Sequence, residues 1–89
     1  MDEAIRLRPD VEWRAIDGEV VVLDLATSAY LAVNDTGAVL WPLVAAGARQ
    51  ADLVDELAQR YRLEPDQAKA DVEAFVASLR ALSLVEVAD

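Results

Sequence analysis

A chain of 89 residues has room for one small domain, so a single fold spanning residues 1–89 is expected. It holds no cysteine and no histidine, which excludes disulfide frameworks, thiolate or imidazole zinc sites and histidine-based nucleophilic triads. Eight basic against 17 acidic residues give a formal net charge of -9, a balance that repels phosphate backbones and anionic lipid, so neither nucleic acid nor a membrane is an expected partner.

Met1-Asp2-Glu3 opens with acid where a signal peptide has basic residues, and the expected compartment is the cytoplasm. The first extended segment is Ile5-Arg6-Leu7-Arg8, a short strand cut off by Pro9, which has no ladder donor. Residues 11–16 and 19–25 then flank Asp17-Gly18, a pair suited to the positive φ angles of a two-residue hairpin turn. A second turn at Ala26-Thr27-Ser28 leads into Ala29-Tyr30-Leu31-Ala32-Val33, where aromatic and branched residues favour a third strand of an antiparallel meander. Alternation directs Tyr30 away from the face shared by Leu31 and Val33.

From Asn34 the period changes. Asn34-Asp35-Thr36 offers capping side chains, and Val39, Leu40, Leu43 and Val44 recur at helical spacing toward Gly47, with Pro42 expected to kink or delay this first helix. A second helix over residues 50–61 puts Leu53, Val54, Leu57, Ala58 and Tyr61 on one face. A third, starting at Pro65 and ending near Ser83, aligns Ala68, Val72, Phe75, Val76, Leu79 and Leu82. The fold class is therefore α+β and winged helix-turn-helix-like, a three-stranded antiparallel sheet followed by three helices.

The residues give no support for catalysis. Asp52, Asp55, Glu56, Asp71 and Glu73 fall on polar helix faces, no acidic spacing matches a calcium loop, and the scattered Gly18, Gly37 and Gly47 form no phosphate-cradling loop. No enzyme activity, metal or cofactor is expected. A DNA-reading helix needs basic side chains, whereas the third helix sets Asp66, Asp71 and Glu73 against Lys69 and Arg80. What the pattern does supply is a sheet edge beside an amphipathic helix, a combination suited to receiving an extended peptide.

The run Val21-Val22-Leu23-Asp24-Leu25, followed by Tyr30-Leu31-Ala32-Val33-Asn34-Asp35-Thr36-Gly37-Ala38-Val39-Leu40-Trp41, resembles the PqqD-like family. There a hydrophobic strand precedes an aromatic-rich strand, Leu-Asn-Glu-Thr-Gly, small residues and Trp. Leu53-Val54-Asp55-Glu56-Leu57 with Tyr61, then Asp71-Val72, Phe75-Val76, Leu79 and Leu82, carry the resemblance over residues 5–86. Val33 stands for the usual Leu, Asp35 for the usual Glu and Ser83 for a common Gly, while Pro42 and Arg49-Gln50 depart from the pattern.

The resemblance implies a domain that recognises the leader of ribosomally synthesised, post-translationally modified peptides, the leader adding antiparallel to the third strand against the third helix. It is most like the stand-alone recognition element of split lasso-peptide systems, in which a separate leader peptidase and an asparagine-synthetase-like cyclase act on the precursor. The second reading is a pyrroloquinoline quinone-type peptide chaperone serving a radical enzyme; outside the family it is a structural or regulatory winged-helix protein that does not bind DNA. The residues implied to meet the leader are Ala29, Tyr30, Leu31, Ala32, Val33, Val72, Phe75, Val76 and Leu79, with Asp71 and Glu73 for leader Lys or Arg. Lasso leaders carry a Tyr and a later Pro, which suit an apolar groove. Among the helix positions Val76 is expected to border the groove, while Phe75 and Leu79, like Val33, weigh toward the core.

Overall fold

Asp17 and Gly18 adopt φ angles of 52° and 81°, the type I′ geometry whose twist matches that of paired strands. In the computed structural model, which describes residues 4–87, this turn joins β2 (Val11–Ile16) to β3 (Glu19–Asp24), with Ile16 opposite Glu19. A four-residue connection ending in left-handed Ser28 (φ 62°) leads to β4 (Ala29–Val33), which pairs antiparallel with β3 so that Val22 faces Leu31 and Val20 faces Val33. The sheet order is β2-β3-β4, leaving β4 at an edge. Val11, Val20 and Val22 are buried on its inner face, whereas Ile16, Leu23 and Tyr30 are exposed on the outer one.

The expected short first strand forms as β1 (Ala4–Leu7), but it belongs to a second sheet. There it lies between β5 (Ala48–Arg49) and β6 (Val85–Val87), with Arg6 paired to Glu86 across the β1–β6 register at 2.8 Å. Neither β5 nor β6 is long enough for two-residue alternation to register in the sequence.

The three helices follow the expected order: α1 (Asp35–Ala46), α2 (Gln50–Tyr61) and α3 (Pro65–Ala81). Asn34 caps α1, its Oδ1 accepting from the Gly37 N–H at 2.8 Å, and Gly47 closes the helix at φ 85°. The helix runs on through Pro42. An interior proline costs about 3 kcal/mol, but Pro42 is exposed while Leu40, Trp41 and Val44 are fully buried, and each such burial returns roughly 1.5–3 kcal/mol or more. Packing thus overrides local propensity. At the start of α2 the Asp52 carboxylate accepts from the Arg49 N–H at 3.1 Å, and α3 begins with Pro65 in its first turn, where the missing donor is harmless.

The approach to β4 is tied down by Asp24, the one buried acidic residue among those described. Its Oδ1 accepts from Arg8 Nη2 at 3.1 Å and from the Ala26 N–H at 3.0 Å, while the Leu25 N–H donates to the Asp10 carbonyl at 2.9 Å. These bonds fasten the β3–β4 turn to the segment before β2.

The structure corrects the expected faces of α3. Ala68, Val72, Val76 and Leu79 form the stripe that enters the core, with Val76 only 5% exposed, and Phe75 sits half-buried about 100° around the helix. An acidic side chain at a site packed from all sides loses its water without gaining a partner. Val76→Asp should therefore destabilise the fold by at least about 3 kcal/mol in urea denaturation; a variant as stable as the parent would contradict the core assignment.

Candidate peptide-binding cleft

By the geometry of a type I′ hairpin, Ile16 and Glu19 form a hydrogen-bonded pair, and such pairs alternate along an antiparallel ladder. Glu19, Val21 and Leu23 thus bond toward β2, leaving Val20, Val22 and Asp24 to bond toward Val33, Leu31 and Ala29 of β4. It follows that the N–H and C=O groups of Tyr30 and Ala32 point out from the free edge. The same alternation turns the side chains of Leu31 and Val33 inward, toward α3, and those of Tyr30 and Ala32 outward.

Beside this edge lies a cleft of about 470 Å3, within the usual size of ligand sites, with β4 on one side and α3 on the other. Its walls are Leu31 to Asn34, Thr36 and Gly37 facing Asp71, Ala74, Phe75, Ser78, Leu79 and Leu82. A second hollow of about 310 Å3 adjoins it across Leu31 and Leu82 and reaches Ala29, Ala81 and Leu84. Phe75 approaches Gly37 just past the end of β4, whereas Ala81 and Leu82 border its start, so α3 and β4 run in opposite directions.

The cleft depends on Gly37. A Cβ there would collide with Val33 Cγ1 and stand only 3.1 Å from Phe75 Cε1, so the glycine is required by close approach. Phe75 is held from behind by the buried Trp41, whose ring meets it edge-on at 6.4 Å and 77°. The lining is mainly apolar and its single charged member is Asp71, half-buried and bonded through Oδ1 to Gln67 Nε2 at 2.9 Å. The Ser78 hydroxyl donates back to the Ala74 carbonyl at 3.1 Å.

Of the sequence-predicted residues, Leu31, Ala32, Val33, Asp71, Phe75 and Leu79 come together in the cleft, and Ala29 lines the adjoining hollow. Tyr30 stands on the opposite, outer face, as its alternation requires. Val72 and Val76 do not line the cleft because their stripe faces the core, and Glu73 is exposed to solvent, some 200° around the helix from Asp71. Sequence reasoning missed Asn34, Thr36, Gly37, Ala74, Ser78 and Leu82. The spacing of Asp71, Ala74, Phe75, Ser78 and Leu82 is itself helical and was the available signal. Because Gly37 leaves no space for a methyl group, Gly37→Ala should cost about 1–3 kcal/mol by overpacking, measured by thermal or urea unfolding. The opposite sign, a gain of about 1 kcal/mol, is what a freely exposed helical glycine would give.

Among the described residues no helix is long and apolar enough to cross a membrane. No curated protein matches the chain. Two solved structures do, both with bound peptide. The chain is similar to TbiB1 in complex with the TbiA(beta) leader peptide, at 29% identity and a TM-score of 0.86 over 94% of this chain and 99% of that one. It is also similar to a lasso peptide synthetase B1 complexed with the leader peptide, at 30% identity and a TM-score of 0.81 over 92% and 96%. The model of the PqqD family, coenzyme PQQ synthesis protein D, matches residues 19–85, which take in β3, β4, the three helices and the start of β6; the chain belongs to that family.

Proposed function

We propose that this chain is a non-catalytic recognition element that binds the leader of a ribosomally made precursor peptide, of the lasso class, by strand addition to β4. The observation that carries the reading is the open edge of β4 beside an apolar cleft, in a fold shared with two leader-peptide complexes. Backbone groups of Tyr30 and Ala32 supply hydrogen bonds that any sequence can satisfy, and the cleft selects side chains. An antiparallel strand on β4 runs parallel to α3, entering near Asp71 and Gly37 and leaving past Ala29 and Leu82. Alternate leader residues, about 6.8 Å apart, then point into the cleft and the adjoining hollow. A Tyr in such a site buries a large rigid ring, and Pro lowers the ordering cost of the extended chain.

Asp71 is placed to meet a basic leader side chain at the entry end. With neither histidine nor cysteine in the chain, we assign the chemistry to separate proteins, a leader peptidase and an asparagine-synthetase-like cyclase, to which the complex delivers the precursor in the cytoplasm.

Proline substitution separates the edge from the ladder. Ala32→Pro removes a donor that faces outward, a position where edge strands tolerate proline, and should weaken leader binding at least about tenfold in calorimetry with a modest change in melting temperature. Leu31→Pro removes a donor used by β3 and should destabilise the sheet itself. Phe75→Ala should weaken binding by a similar factor through loss of the cleft wall. Full leader affinity in both Ala32→Pro and Phe75→Ala would overturn the reading.

A further inference from the structure

The outer face of the meander carries an apolar surface with no role in the cleft. Ile16, Leu23 and Tyr30 are 54%, 36% and 76% exposed, and with Val21 they border a shallow depression flanked by Glu12 and Arg14. Cross-strand register sets Glu12, Leu23 and Tyr30 in one row, which ends at the free edge of β4. Tyr30 is the last member of that row and, among the described residues, the most exposed large apolar one.

A strand added to β4 extends the outer face as well as the inner one. The added residue that hydrogen-bonds with Tyr30 lies directly opposite it and shares its face, because paired residues in a ladder point the same way. We propose that the leader is read on both faces, and that Tyr30 is a specificity residue selecting an aromatic or β-branched leader side chain on the outer face, next to the residues held in the cleft. The proposal rests on leader addition to β4 and deepens it. The occupant is the leader itself, since the row is continuous with the edge that the leader takes and no other strand can stand opposite Tyr30 once the leader is there. Aromatic and β-branched cross-strand pairs are among the favourable ones, whereas a charged leader residue at this position would lie against Leu23 and Tyr30 without a partner.

The test is a double-mutant cycle read by fluorescence anisotropy, using a labelled synthetic lasso-class leader peptide that the parent chain binds and its single-alanine variants. Tyr30→Thr keeps a strand-forming residue and should weaken binding about threefold with an unchanged melting temperature, while Tyr30→Phe should bind as the parent does. One leader position should lose its alanine effect in the Tyr30→Thr background. It should stand an odd number of residues from any position coupled to Phe75, since the two face opposite sides. Unchanged binding by Tyr30→Thr, additive effects at every leader position, or a coupled position at even spacing would each overturn the proposal. If Tyr30→Thr binds normally while Phe75→Ala is weakened, leader addition stands and outer-face reading fails; if neither variant is weakened, leader addition fails too.

Discussion

The half-paired state of β4 governs the molecule. Hydrogen bonds alternate in direction along an antiparallel ladder, so the residues that bind β4 to β3 cannot also serve the edge. Tyr30 and Ala32 are left with donors and acceptors that water must satisfy until another strand arrives. An open edge beside an apolar cleft is an aggregation hazard. β4 limits it by being only five residues long, and a net charge of -9 sets copies of the chain against one another.

The cleft exists because α1 begins where β4 ends. Asn34 closes the strand and caps the helix with one side chain, which puts Gly37 in the first turn, directly under Val33 and Phe75. Trp41, one turn further on, is fully buried and braces the Phe75 ring, so the wall of the cleft is supported from the core. At the other end the bonds from Arg8 and Ala26 to Asp24 fix the turn from which β4 starts. Both ends of the strand are thus rigidly held and its middle is left to pair.

Much of this was legible in the sequence because it rests on local rules. The Asp17-Gly18 turn, the Asn34 cap, Pro65 in a first turn and the outward Tyr30 each follow from the conformational preferences of a few neighbouring residues. The faces of α3 did not follow. Ala68, Val72 and Val76 define one stripe and Asp71, Phe75, Ser78 and Leu82 another, each at helical spacing, with Leu79 on the boundary. The larger Phe75 favours burial on size alone, yet the side on which α2 packs decides which stripe becomes core, and that is a tertiary choice invisible to periodicity. The short strands β5 and β6 are also set by tertiary pairing with β1, and Pro42 is tolerated because burial on the far side of α1 outweighs one lost bond.

Amide hydrogen exchange of the free and leader-bound chain tests strand addition at the atoms that make it. In the free protein the amides of Leu31 and Val33 should already be protected by β3, while those of Tyr30 and Ala32 exchange rapidly. Leader addition to β4 requires Tyr30 and Ala32 to become protected on binding. Leader binding that left these two amides exchanging as fast as before would place the peptide elsewhere and contradict the strand-addition mechanism.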